Sequence, residues 1–229
     1  MSGTGADRPA DVKTQMDGIY GTMPPEAIPW NKAEPPAMLV ELVESGLVAP
    51  CDTVDLGCGA GNYAVWLASR GFRVTGIDLS ANAVGMAARL AAARGVACRF
   101  VQADLTAAVP DDVAGAFDFA YDWEVLHHVC PDARALYAAN VHRLLRPGGR
   151  YLSVCFSEAD APAFGGEGKW CRTPLGTLLY LSSEQEIADL FEPLFGIDEL
   201  RTVEIAGRHG THLAIKALMT RREAPLAAD

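Results

Sequence analysis

A chain of 229 residues, half of it apolar, suits one domain with a sizeable buried core. Its formal net charge is −10 with no basic stripe, which argues against a nucleic-acid partner, because phosphates need clustered Lys and Arg. No apolar run approaches the ~20 residues of a membrane helix, and Met1 to Asp7 lacks the pattern of a signal peptide, so a cytoplasmic, membrane-free protein is expected. The six cysteines, Cys51, Cys58, Cys98, Cys130, Cys155 and Cys171, form no Cys-x-x-Cys pair and no zinc spacing. They are expected to be reduced thiols, and no metal site is expected.

Residues 1–10 are small and polar and are expected to be disordered. Prolines punctuate residues 11–36, so no long helix is expected there. Yet Met16, Ile19, Tyr20, Met23, Ile28 and Trp30 are too apolar for a solvated tail. This N-terminal segment, 1–36, either packs on the core or forms a lid. Met38, Leu39, Leu42 and Val43 have helical spacing, with Gly46 as a stop.

From Thr53 to Ser80 the chain reads as strand, glycine turn, helix and strand, with Asp78 closing the second strand. Gly57, Gly59 and Gly61 let the backbone turn sharply and approach a ligand. The helix from Asn62 to Arg70 starts at the same place. Asp78 lies 21 residues past Gly57, the separation at which an acid meets a ribose hydroxyl pair in dinucleotide folds. Ser80 caps an alanine-rich helix from Ala81 to Arg94, and Gly95 ends it. Residues 97–103 form a third strand before Asp104, and 117–121 a fourth with Asp122 at its carboxyl end. Residues 132–145 are helical, and Pro147-Gly148-Gly149 turns the chain into a fifth strand over 150–156. Strands alternating with helices imply a mostly parallel, doubly wound α/β sheet with helices on both faces. A loop-rich insertion near 157–180 follows, then a helix opened by the capping box Ser183 to Glu186. Two strands over 195–205 and 211–219 end the domain, leaving 222–229 as a tail.

A nicotinamide or flavin turn wants Gly or Ala where Asn62 stands. Instead an acid precedes the glycines, giving Asp55-x-Gly57-x-Gly59-x-Gly61. With Gly76 to Ser80, Gln102 to Leu105, Phe117 to Asp122, Leu126 to Val129 and Leu144 to Arg150, this resembles the class I S-adenosylmethionine-dependent methyltransferases. The resemblance covers about Thr53 to Phe156 and implies a Rossmann-like seven-stranded sheet with an antiparallel C-terminal hairpin. It also implies that strand order reverses between the first and fourth strands, where ligands of such sheets sit.

The roles the resemblance implies are these. Gly57, Gly59 and Gly61 flank the methionine part of S-adenosyl-L-methionine, and Asp78, beside Leu79, takes both ribose hydroxyls. Asp104 accepts from the adenine amino group, with the backbone of Leu105 beside it. Asp122 and Trp123 border the methionine end. Asp55 either supports the turn or meets the cofactor's amino group. Methyl transfer from a sulfonium needs mainly alignment and exclusion of water. Aromatic faces favour the positive sulfur, and Tyr20, Trp30, Tyr63, Trp66 and Trp123 are candidates. Glu124 and His127, on one face of a helix-like turn, are candidate bases, and His128 reads as a packing histidine. Trp170, in the insertion, joins Tyr20, Trp30 and His128 as a candidate substrate contact. The acceptor is expected to be a small molecule methylated on O, N, S or C, and the protein a monomer or homodimer. Residues 20–31 resemble the thiopurine, halide and tellurite-resistance branch without its Trp-Asp or Trp-x-x-Gly pattern. The alternatives are a non-catalytic cofactor sensor or scaffold, and a nicotinamide oxidoreductase.

Overall fold

In the computed structural model the described residues are 12–107, 109, 113–208 and 210–223. The expected disordered start and most of the expected tail, from 224 onward, lie outside them. The sheet strands are β1 (Asp52–Leu56), β2 (Arg73–Asp78), β3 (Cys98–Gln102), β4 (Phe117–Trp123) and β5 (Leu145–Phe156). A short hairpin, β6 (Trp170–Arg172) with β7 (Leu178–Tyr180), stands apart, and β8 (Phe195–Ala206) and β9 (Thr211–Arg221) complete the sheet. The helices are α1 (Val12–Thr22), α2 (Ala37–Glu44), α3 (Asn62–Ala68), α4 (Ala81–Arg94), α5 (Pro131–Leu144) and α6 (Glu184–Phe191).

The seven-stranded sheet runs β3-β2-β1-β4-β5-β9-β8. β1 pairs parallel with both β2 and β4, while β9 runs antiparallel between β5 and β8. The order reverses at β1/β4, so the carboxyl ends of these strands open a crevice there. Strand alternation splits the core in two. Val54, Leu56 and Ala120 pack with Tyr137, Val141 and Phe191 of α5 and α6. Phe119 and Tyr121 pack with Leu39 and Leu42 of α2 and with Ala64 and Leu67 of α3.

Local signals explain several boundaries. The Ser80 hydroxyl accepts from Ala83 N–H at 3.1 Å and caps α4, and Gly95 ends that helix in the left-handed region. Ser183 and Glu186 form the expected capping box on α6. Two expectations are corrected. Residues 12–22 form an 11-residue helix, because the prolines at 24 and 25 bound it rather than interrupt it. Within 157–180 the chain is not mainly loop: residues 158–164 form a 3-10 helix, and β6 and β7 pair as a hairpin.

The N-terminal segment packs across the crevice mouth. Ile19, Tyr20 and Ile28 are buried against Ala60 of the glycine turn and Ala83 of α4, with Trp30, Met86 and Leu175 around them. Burying a side chain such as Ile28 contributes roughly 1.5–3 kcal/mol. Asp17 of α1 adds polar fastening: its carboxylate accepts from Ser80 Oγ at 2.7 Å and Asn82 N–H at 3.0 Å. From the other side, Arg208 donates to the carbonyls of Ala27, at 2.9 Å, and Glu26.

Candidate active site

A cleft of about 560 Å³ lies at the β1/β4 reversal. That volume falls within the range of ordinary small-molecule and cofactor sites. Its floor is the glycine turn. Gly57, Gly59 and Gly61 have φ of 70°, 53° and 80°, a region that L side chains avoid. A Cβ on Gly57 would meet Val125 Cγ2 at 2.5 Å, and one on Gly59 would meet the Tyr20 hydroxyl at 2.6 Å. The turn therefore needs bare backbone for both conformation and space.

Asp78 ends β2 beneath this turn. Its Oδ2 accepts from Gly59 N–H at 2.8 Å and its Oδ1 from Ser80 N–H at 2.9 Å. Burial raises its pKa, and those amide bonds oppose the rise. Each oxygen keeps a further lone pair toward the cleft. Leu79, Asp104 and Leu105 also line the wall. Asp104 is exposed at the rim, where its Oδ1 accepts from Thr106 N–H at 2.8 Å and Thr106 Oγ1 at 2.6 Å.

Asp55 lines the cleft as well, on the face of β1 that carries α3. Burial pushes its carboxyl up to about 7, and the nearby charges of Asp78 and Asp122 add to the rise. An unfolded Asp titrates near about 3.9. Between that pH and about 7 the folded chain holds a proton that the unfolded chain has released. Stability is therefore highest below the unfolded value and falls as pH rises through this window. A cationic ligand group beside Asp55 favours its ionised form and expels that proton. Asp55→Asn is expected to make the ligand-free protein more stable than wild type at about pH 8, and equal or less stable at about pH 4. Thermal unfolding at the two pH values checks this.

The far end of the cleft is aromatic. Trp30, Tyr63, Trp123 and His128 line it with Tyr20. Trp30 donates to the Tyr20 hydroxyl at 2.9 Å, and its ring lies 6.1 Å from that of His128. Glu124 follows β4 with φ of 62°, the one non-glycine residue with positive φ among the described residues. Its carboxylate accepts from Trp123 Nε1 at 3.2 Å and from Lys32 Nζ at 3.3 Å.

Three expectations about site residues are corrected. His127 does not line the cleft. It is buried, its ring stacked 4.3 Å from Phe156, and its Nδ1 accepts from Phe156 N–H at 3.3 Å. Burial holds it neutral, well below the usual histidine range. His128, read as the packing residue, faces the cleft instead. The cause is backbone: Glu124 turns left-handed, and a 3-10 turn begins only at Leu126, so Glu124 and His127 share no helical face. Asp122 is also sunk. It shares the parity of Ala120 along β4, so its carboxylate points toward α5, takes the Tyr151 hydroxyl, and is pushed up to about 6 by burial. Trp170 is half exposed on β6, edge-on to Tyr180, and does not line the cleft.

Sequence reasoning missed Lys32, Asn31, Val125 and Cys130, which line the cleft. Asn31 Oδ1 accepts from Asn62 Nδ2 at 2.6 Å, tying the segment to α3. Lys32 had a signal, being the only basic residue between Lys13 and Arg70. Among the described residues there is no His, Cys, Asp and Glu cluster able to hold a metal, and no helix long and apolar enough to cross a membrane.

Comparison with known proteins agrees with this geometry. Residues 53–149 match a family model described as a methyltransferase domain. The chain is 31% identical over 157 residues to 2-heptyl-1-hydroxyquinolin-4(1H)-one methyltransferase of Mycobacteroides abscessus, covering 66% of this chain and 68% of that protein. A solved structure described as "Conversion of a Disulfide Bond into a Thioacetal Group during Echinomycin Biosynthesis" matches with a TM-score of 0.76 and 25% identity, over 92% of each chain. The 1,6-didemethyltoxoflavin-N1-methyltransferase of Burkholderia thailandensis, solved with its substrate and S-adenosylhomocysteine, shares the fold. It matches with a TM-score of 0.72 and 22% identity, over 95% of this chain and 94% of that one.

Proposed function

The chain belongs to the class I S-adenosylmethionine-dependent methyltransferases, and on that footing we propose that it methylates a small, flat acceptor held under the N-terminal segment. The observation that carries the reading is convergence. The glycine turn, Asp78, Asp104, Trp123 and Glu124 line one cleft, and residues 12–32 roof it.

The cleft fits the cofactor. Asp78 has lone pairs left for two ribose hydroxyls after serving Gly59 and Ser80. Asp104 and the Leu105 backbone stand at the rim for the adenine edge, and Asp55 waits under the turn for the amino group. When bound, the cofactor supplies an activated methyl on a sulfonium sulfur. The chain's own task is alignment and dryness. Tyr20, Trp30, Tyr63 and Trp123 exclude water and offer aromatic faces to positive charge.

Residues 1–36 act as a lid over a catalytic domain at 37–221. Two relatives are named for a hydroxyquinolinone and a toxoflavin precursor, which supports a small heteroaromatic acceptor. A cytoplasmic monomer or homodimer fits a protein acting on such a molecule.

Calorimetry followed by turnover tests the reading. S-adenosylhomocysteine is expected to bind and NADH not to. Label from methyl-labelled S-adenosylmethionine is then expected in a heteroaromatic acceptor. Cofactor binding with no transfer across a broad acceptor panel would leave a sensor or scaffold.

A further inference from the structure

Two opposite charges meet at the acceptor end of the cleft and belong to different parts of the chain. Lys32 lies in the N-terminal segment and Glu124 in the turn after β4; their charged atoms are 3.3 Å apart. Lys32 Nζ also donates to Ala206 O at 2.7 Å. The Glu124 side chain is only 10% exposed and that of Lys32 30%. Glu124 holds a left-handed φ of 62°, a conformation that costs a non-glycine residue roughly 1–2 kcal/mol. Its N–H is fixed to Val154 O at 2.8 Å. Strain of this kind gathers where a side chain must be aimed. Around the pair stand Trp30, Tyr63, Trp123 and His128, walls suited to a flat ring.

We propose that Lys32 and Glu124 form the acceptor subsite for a flat aromatic compound bearing an acidic hydroxyl, Glu124 taking its proton and Lys32 holding the oxyanion. The proposal rests on the methyl-transfer reading and narrows its acceptor. Charge is conserved within the pair. Glu124 begins as carboxylate and Lys32 as ammonium. After proton transfer, Glu124 is neutral and Lys32 faces the acceptor's oxyanion. The acceptor oxygen then bonds to the methyl carbon while the carbon–sulfur bond breaks, leaving its electron pair on sulfur. Glu124 returns its proton to water.

The other titratable groups facing Glu124 do not take this role. Burial lowers His128 to about 4, leaving a neutral ring too weak to serve as base near neutrality. Burial raises the Tyr63 hydroxyl, with the charge of Glu124 adding to the rise, so it stays protonated. Asp55 lies under the glycine turn, toward the cofactor. A protonated amine would meet Lys32 as a like charge, whereas an oxyanion meets its complement.

The test uses 4-nitrophenol, whose ionised form is read by absorbance, added to protein saturated with S-adenosylhomocysteine. The bound phenol is expected to ionise about one pH unit lower than the free one, about tenfold more phenolate at a given pH. Lys32→Met abolishes the shift, and Lys32→Arg retains most of it. Neither changes S-adenosylhomocysteine affinity more than about twofold, and thermal unfolding confirms that each variant is folded. Glu124→Gln keeps the shift but slows methylation of weakly acidic phenols far more than of strongly acidic ones. Absence of S-adenosylhomocysteine binding would sink the cofactor reading itself. With that binding intact, the subsite is overturned if 4-nitrophenol fails to bind, binds without a shift, or keeps its shift in Lys32→Met.

Discussion

Asp78→Ala is expected to weaken S-adenosylhomocysteine binding by about 3 kcal/mol or more, at least a hundredfold. Two ribose hydrogen bonds to a carboxylate account for about 2–3 kcal/mol. The remainder comes from the turn itself. Asp78 satisfies Gly59 N–H at 2.8 Å and Ser80 N–H at 2.9 Å, and removing it orphans two donors beside the ligand. Each buried orphan costs roughly 1–3 kcal/mol. Asp78→Asn separates charge from shape: it offers one acceptor oxygen, and its amide must point donor to donor at Gly59 or Ser80. It should therefore lose nearly as much as the alanine variant. Calorimetric titration of both variants, with hydrogen exchange at Gly59 and Ser80, resolves the two contributions. A loss under about threefold in the alanine variant would count against Asp78 as the ribose acceptor.

What the sequence makes legible here is mostly local. The Ser80 cap, the Gly95 stop and the Ser183–Glu186 box need only near neighbours in the chain, so their residue types announce them. The order of glycines, Asp78 and Asp104 is legible for the same reason: each sits at a strand tip, and the fold brings strand tips together. Side-chain direction past a tip is another matter. Asp122 looks like a tip residue in sequence, yet strand parity turns it toward α5 and the Tyr151 hydroxyl. His127 and His128 exchange positions because one left-handed residue, Glu124, precedes them, and nothing in the residue type of Glu124 marks that φ. Lys32 is harder still. It meets a carboxylate 92 positions away, and only the assembled segment makes that encounter.

Gly61→Ala is expected to cost about 2–5 kcal/mol of folding stability, out of a total of about 5–15 for a domain. Gly61 caps α3 at φ 80°, and a left-handed alanine there costs about 1–2 kcal/mol. Space adds a second cost. The new Cβ would sit 2.7 Å from Ala87 Cβ and 3.0 Å from Ala87 Cα, with Phe100 Cζ at 3.3 Å. Ala87 is fully buried on α4 and has no side chain that can swing aside, so α3 and α4 must separate. Overpacking of this sort costs about 1–3 kcal/mol. Gly95→Ala supplies the control, since Gly95 has φ 66° with nothing within 4 Å of a built Cβ. It should show only the conformational cost, and the difference between the variants isolates the helix contact. Adding Ala87→Gly to Gly61→Ala should recover part of that difference, despite about 1 kcal/mol lost from helix propensity. Denaturant unfolding of the four proteins decides the matter. Equal losses for Gly61→Ala and Gly95→Ala would mean that the two helices yield freely, and that Gly61 is required only for its backbone angle.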